Sequence, residues 1–325
     1  MKKIISVLLL VVICLQITAC SGGVPVYKER EFFVMDTVFT LRIYGADDTS
    51  EQHFAAVLAL LGEIDAALSK TKESSDVSRI NRERAAGALS HHTEQVLTVA
   101  MEVMKKSDGA YLPTLGQVTA MWEAAGQSDT LPNASDLEAA LADARLGFSF
   151  ENGVCALLGE SALLDLGGIG KGYAADCVLA YLREQRVRGA LLSFGSSVAT
   201  IGEKGDGSAF RIALRHPRKN ASVGVLTDPV GVLSVSGDYE RYVTVNGARY
   251  HHILNPATGY PTDSGLASVA VLCESGAYSD AISTACMVLG KTDAIALCER
   301  LSAAAVLIST DGDIITTGAL QFSAS

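Results

Sequence analysis

An α+β fold with largely antiparallel sheets is predicted by three observations. Candidate strands from residue 153 onward are short and joined by short turns. Helical periodicity is gathered in blocks between them instead of alternating one-for-one with strands, the pattern that separates α+β from doubly wound proteins. The 325 residues, 49% of them hydrophobic, supply a full core for one large domain or two small ones. No repeat, low-complexity tract or composition break after residue 30 forces a division, so a single domain over 31–325 is expected.

The N-terminus reads separately. Lys2 and Lys3 precede an apolar run over 4–15, followed by Ile17-Thr18-Ala19-Cys20. A basic flank, an apolar stretch too short to span a bilayer, and small residues before the cut describe an export signal over 1–19. Ending that signal on cysteine resembles a bacterial lipobox. The resemblance implies cleavage before Cys20, acylation of its thiol, and a mature protein anchored to a membrane outside the cytoplasm by a tether over 20–30. The formal charge of −10, with scattered basic residues, excludes a nucleic-acid footprint.

The elements follow in order. Residues 38–44 alternate, with Phe39, Leu41 and Ile43 on one face and Gly45 as the stop, which predicts a half-buried strand. Asp48 and Glu51 have capping-box spacing, and Val57, Leu61, Ile64 and Leu68 recur at helical spacing behind them. The polar stretch 69–79 reads as a loop. Thr93 caps a helix carrying Val96, Ala100, Val103 and Met104 that ends at Gly109. Residues 109–116 are irregular, and Ser135 caps a short helix with Leu137, Ala140, Leu141 and Ala144. Strands are expected over 154–158, 163–166, 190–194, 198–201, 210–214, 231–235, 250–254 and 267–272. The helix after the glycine turn at 167–172 carries Ala174, Val178, Tyr181 and Leu182. Helices over 277–289 and 293–301 precede a hairpin of 304–309 and 313–317 across Asp311-Gly312. Cys155, Cys177, Cys273, Cys286 and Cys298 lie in apolar or helical settings without C-x-x-C, and read as buried small hydrophobes. Export leaves one disulfide possible without pairing it.

Four segments carry candidate chemistry. In 163–176 an apolar run ending in Asp165-Leu166 enters a turn holding Gly167, Gly168, Gly170 and Gly172, and a helix leaves it. That geometry points free backbone N–H groups at an anion, and the glycines let a phosphate approach. The spacing is neither a Walker loop nor G-x-G-x-x-G, and a ligand-free packing turn has the same composition. Asp165 repels phosphate and suits a ribose hydroxyl or the shell of a cation. Asp280 and Thr284, four apart, leave one face of a helix as a partial, hard oxygen site of the kind Mg²⁺ takes with phosphate and water. A surface Asp with Thr bonded back to its helix has the same spacing. His252, ahead of Asn255-Pro256 and Thr258-Gly259-Tyr260-Pro261, suits proton transfer near neutral pH; a strand turns His251 to the other face. His53, His91, His92 and His216 lack zinc-ligand spacing. Residues 234–242 form a polar and aromatic cluster, and the absence of G-x-S-x-G excludes a serine hydrolase at Ser236.

Together these pieces resemble the FAD:protein FMN transferase (ApbE-type) family. The resemblance runs in order through Met35-Asp36-Thr37, Leu68-Ser69 to Asn81, Pro113-Thr114-Leu115-Gly116, 165–174, 236–242, 252–261, and Asp280-Ala281 with Thr284. It implies a fold related to the tunnelling-fold proteins, with Mg²⁺ as the metal. It also implies transfer of FMN from FAD to a Thr or Ser hydroxyl of an exported protein, releasing AMP. By position, Asp280, Thr284 and a carbonyl near Gly168 are the implied metal ligands. Met35, Ala110, Tyr111, Leu112, Asp165, Lys171 and Ile253 are the implied FAD contacts, and His252 assists transfer. Thr71 stands where members often place a tyrosine on the flavin, which removes stacking of about 1 kcal/mol. Leu112, Asn255, Ala257 and Ser196-Ser197 also depart from the family pattern. The alternatives are a hydrolase splitting FAD to FMN and AMP, and a flavin-binding lipoprotein without chemistry.

Overall fold

The computed structural model describes residues 27–45 and 49–325. The export signal, Cys20 and Asp48 lie outside the described residues. The first hairpin is β1 (Tyr27–Val34) and β2 (Thr37–Tyr44). Then come α1 (Ser50–Leu68), α2 (Asp76–Glu83), β3 (Ala85–Ala86), α3 (His91–Lys106), α4 (Gly116–Ser128) and α5 (Ala134–Leu146). A small meander, β4 (Phe148–Glu151) and β5 (Val154–Leu157), leads to α6 (Gly170–Glu184), β6 (Gly189–Phe194) and β7 (Ser197–Gly202). The rest is β8 (Arg211–Arg215), β9 (Ser222–Thr227), β10 (Val232–Gly237), β11 (Tyr242–Val245), β12 (Ala248–His251), β13 (Leu266–Cys273), α7 (Gly276–Arg300), β14 (Ala304–Ser309), β15 (Ile314–Thr317) and β16 (Phe322–Ala324).

An eight-stranded sheet runs β1-β2-β6-β7-β10-β13-β14-β15 with every pair antiparallel. The predicted α+β class is the one found. Helix α7 packs on β10 and β13 and against α6, and α1 and α3 close the layer. The stripe of Val57, Leu61 and Ile64 is fully buried there, each side chain contributing about 1.5–3 kcal/mol by leaving water. A second, smaller core joins Val118, Trp122 and Ala125 of α4 to Leu137 and Leu141 of α5, Val245 of β11 and Leu254. It seats the 252–261 turn: Trp122 Nε1 donates to Gly259 O at 2.8 Å and Arg145 Nε to Pro256 O at 2.7 Å. Helix α7 is long and apolar enough to cross a membrane, but 56% of that stretch is buried in the protein and its backbone breaks at Gly290 (φ 76°, ψ 178°). The break separates the two expected helices.

Several expectations are corrected. Residues 27–30, expected in the tether, open β1, because all eight of its residues pair with β2. The polar stretch 69–79 turns helical at Asp76: Ser75 caps the first turn by accepting from Ser78 N, and Val77 and Ile80 are buried. Ser90, not Thr93, caps α3; Thr93 lies within the first turn and donates its hydroxyl to Asp76 Oδ2 at 2.8 Å. Asn133, not Ser135, caps α5 by accepting from Ser135 N and Asp136 N. The strand expected over 163–166 is a single bridge from Leu163 to Leu115, since its backbone is claimed by other partners. Leu164 N donates to Asn81 Oδ1 at 2.7 Å and Asp165 N to Pro113 O at 2.7 Å.

Helices α6 and α7 meet backbone to backbone. A Cβ on Gly172 would sit 1.9 Å from Gly276 O, and one on Gly276 2.3 Å from Gly172 O. Asp176 of α6 then accepts from Ser275 Oγ (2.8 Å), Gly276 N (2.6 Å) and Ala277 N (3.1 Å), satisfying the start of α7. We expect Gly172→Ala to force the helices apart and cost about 3 kcal/mol of stability, read as a lower urea midpoint at unchanged m-value.

Candidate active site

The site grows from the glycine turn between Leu166 and α6. Gly167 N donates to Asp165 Oδ1 at 2.8 Å, folding the turn over its own acid. Asp165 Oδ2 takes the Lys70 ammonium at 2.8 Å, and Glu123 lies 3.5 Å from the same ammonium. Burial works to lower the Lys70 pKa; the charge and hydrogen bond of Asp165, joined by those of Glu123, together outweigh it and leave the group above its ordinary value. Lys70 is a site residue the sequence reading missed. Its signal was available only as a basic residue beside Thr71, in a stretch taken as solvated loop.

The first turn of α6 brings the glycine turn to α7. Gly172 N donates to Asp280 Oδ2 at 3.1 Å, and Lys171 Nζ lies 3.6 Å from that oxygen while donating to Gly167 O at 3.0 Å. Asp280 is only 4% exposed. Thr284, one turn on, donates back to Asp280 O at 3.3 Å, and its Oγ1 lies 3.5 Å from Ser236 Oγ of β10. Ser236 Oγ is also 2.8 Å from Ser283 Oγ, so a hydroxyl cluster from the sheet holds this face of α7. Gly168 lies between elements: Thr284 Oγ1 and Tyr111 Cε2 are each 3.5 Å from where its Cβ would be. Gly168, Lys171, Asp280, Thr284, Tyr111 and Asp165, far apart in sequence, therefore form one cluster.

Of the remaining expected residues, Met35 reaches the start of α6, while Thr71 and Ile253 are placed by other neighbours. Met35 sits at the tip of the β1–β2 hairpin with φ 52°, followed by Asp36 with φ 54°. Two left-handed central residues make the tight I′ turn of a twisted hairpin. The Met35 methyl reaches within 3.2 Å of the Cβ position of Gly170. Thr71 is exposed, with Oγ1 3.1 Å from Ser69 Oγ. Ala110 and Leu112 flank Tyr111, and Leu112 is buried. Ile253 is buried in the main core directly after His252.

The two histidines have different employments. His251 Nε2 donates to Thr262 O at 2.9 Å, and its Nδ1 accepts from Ile253 N at 3.3 Å, so both ring nitrogens are engaged. His252 Nδ1 donates to Arg241 O at 3.1 Å, and His252 N donates to the same carbonyl at 3.0 Å. That fixes the tautomer with Nε2 bare, the form of a base. Crowding by protein, then the Arg241 charge, pushes the His252 pKa down to about 4, and Lys171 is among the charges acting on it. The ring keeps an exposed side, and water there limits the fall. His252 is therefore neutral at physiological pH. The loop supplying Arg241 is tied down by Asp238, which takes both guanidinium nitrogens of Arg218 at 2.6 Å.

Among the described residues no group of three or more His, Cys, Asp or Glu forms a metal cluster. One carboxylate, one hydroxyl and glycine-turn carbonyls make a different donor set, which fits a hard divalent cation completed by phosphate and water. The Lys171 ammonium, between Gly167 O and the Asp280 carboxylate, marks where this cluster accommodates positive charge.

The sequence model of the ApbE family matches residues 35–308. The FAD:protein FMN transferase of Klebsiella pneumoniae (strain 342) is 32% identical over 292 residues, covering 87% of this chain and 89% of the relative. That of Treponema pallidum (strain Nichols) is 29% identical over 311 residues, 89% of this chain and 86% of the relative. Among solved structures, the ApbE protein of Thermotoga maritima superposes with a TM-score of 0.80 at 28% identity, covering 90% of this chain and 97% of its own. The apo flavinyl transferase ApbE of Pseudomonas stutzeri gives 0.77 at 29% identity, with 90% and 94% covered.

Proposed function

The chain belongs to the ApbE family, and from that premise we propose that it transfers FMN from FAD to a Thr or Ser hydroxyl of a protein substrate, releasing AMP. The observation that carries this is the convergence of the glycine turn, Lys171, Asp280 and Thr284 on one cluster, with His252 near enough to feel the Lys171 charge and holding its Nδ1 on Arg241 O.

In the proposed reaction the acceptor oxygen bonds to the FMN phosphorus. The bond from that phosphorus to the bridging oxygen breaks, and AMP leaves with the electron pair. His252 Nε2 takes the acceptor's proton, while Arg241 O holds Nδ1–H and fixes the ring. Asp280, Thr284 and a carbonyl of the glycine turn would hold Mg²⁺, which when bound supplies Lewis-acid neutralisation of diphosphate charge. Lys171 adds positive potential without reorganising; the turn's expected free N–H groups are largely spent inside the protein, Gly167 N on Asp165, Gly170 N on Leu166 O and Gly172 N on Asp280. Asp165 and Lys70 border the nucleotide, and Met35 covers Gly170 from the hairpin. Export and a lipid on Cys20 belong to the same proposal, and place the acceptor outside the cytoplasm.

One observation favours a hydrolytic side reaction: Thr71 is exposed and bonded to Ser69, so it offers the flavin no aromatic face. A single experiment separates the readings. Purified protein, FAD, Mg²⁺ and a Thr-containing acceptor domain are mixed, and flavin fluorescence is followed on the denatured acceptor. Covalent label supports transfer; free FMN with AMP and no label replaces it with hydrolysis; intact FAD overturns both.

A further inference from the structure

Among the described residues, one buried side-chain polar atom has no hydrogen-bond partner, the Tyr111 hydroxyl. The residue is 3% exposed, and a buried donor in that state is rare because it loses water without replacement. Its other contacts are made. Tyr111 N donates to Ser107 Oγ at 3.1 Å, and the ring edge lies along Gly168. The charges acting on the phenol are Asp280 and then Asp165, the two acids of the candidate site. Both acids already have donors of their own. Asp165 holds Gly167 N and Lys70, while Asp280 Oδ2 holds Gly172 N and faces Lys171. The neighbours of Tyr111, Ala110 and Leu112, are apolar, so the Tyr111 hydroxyl is the polar side-chain group these three residues present.

We propose that the Tyr111 hydroxyl is a donor held in reserve, which finds its acceptor only when substrate enters, donating to an oxygen of the FAD diphosphate or of a water on its cation. The proposal rests on the nucleotide-and-cation reading of this site. A donor buried next to two carboxylates gains nothing from the protein alone and gains a charged acceptor when the ligand arrives. It therefore works in two directions: it weakens the empty protein and tightens the loaded one.

Tyr111→Phe keeps the ring and removes only the hydroxyl, so the full chain carrying it tests both directions. Thermal unfolding without ligand should show a midpoint raised by about 2–5 °C. FAD titration followed by flavin fluorescence should show affinity weakened about 10- to 100-fold. Weakening that persists in EDTA assigns the acceptor to the diphosphate; weakening seen only with Mg²⁺ assigns it to the cation's water. Unchanged FAD affinity, or a lower midpoint without ligand, overturns the role of Tyr111. Failure of the wild-type chain to bind FAD with or without Mg²⁺ overturns the site reading itself, a result distinct from equal binding by both chains.

Discussion

Asp280→Ala lowers the rate of flavin transfer by at least about 10²–10³-fold, the scale of removing one preorganised electrostatic group from an active site. Asp280 is the carboxylate on which the cluster converges: it accepts from Gly172 N, faces Lys171, and stands one turn before Thr284. Without it Lys171 loses its counter-charge, and the proposed cation keeps only neutral donors. Because the side chain is buried, a fold control is built in with Asp280→Asn, whose amide oxygen still accepts from Gly172 N. Both variants should lose Mg²⁺-dependent activity, and only the alanine variant should also lose stability. Single-turnover transfer at saturating FAD across a Mg²⁺ titration reads the first effect. Full activity in Asp280→Asn at ordinary Mg²⁺ would remove the metal assignment.

His252→Ala slows transfer about 10²–10⁴-fold, the usual worth of a positioned general base, and changes FAD affinity little. The ring is held through Nδ1 by a carbonyl, so what is lost is Nε2 and not a nucleotide contact. Its pKa, lowered to about 4 chiefly by burial and then by Arg241, sets the pH dependence. Below the ordinary histidine value the unfolded chain binds a proton that the folded ring resists. The folded state therefore loses stability as pH falls from 6.5 towards about 4. Wild-type activity owed to this base should stay level through neutral and mildly acidic pH and fall only as the pH nears about 4, where the folded ring takes up its proton. A wild-type profile rising on acidification, or a His252→Ala rate within twofold of wild type, would place the base elsewhere.

Periodicity located what it could. The stripe of Val57, Leu61 and Ile64 and the hairpin across Asp311-Gly312 depend on local spacing, and both are where that spacing puts them. The caps moved because several neighbouring polar residues compete for each helix start, and only the coil geometry picks Ser90 over Thr93 or Asn133 over Ser135. Helix α2 was invisible because two buried residues, Val77 and Ile80, are too few to show a period. Leu163–Leu166 looked like a strand by composition, but its hydrogen bonds go to Asn81 and Pro113, which no local pattern reveals. The same division holds in the site. Asp280 with Thr284, and the glycines with Lys171, were legible because each pair sits within one turn. Lys70 on Asp165 and Ser236 beside Thr284 were not, since partners 95 and 48 residues apart are set by topology.

The glycine-to-glycine seam between α6 and α7, sealed by Asp176, has a mechanical corollary. Two backbones in van der Waals contact, with a carboxylate holding the first turn of one helix, behave as a single block. Asp280, Thr284 and Lys171 therefore ride together and leave no hinge on that side. The neighbour that can yield is the β1–β2 bend, whose Met35 lies against Gly170 at the start of α6. We expect the freedom of that bend, and not movement of the α6–α7 block, to pace the admission of a nucleotide.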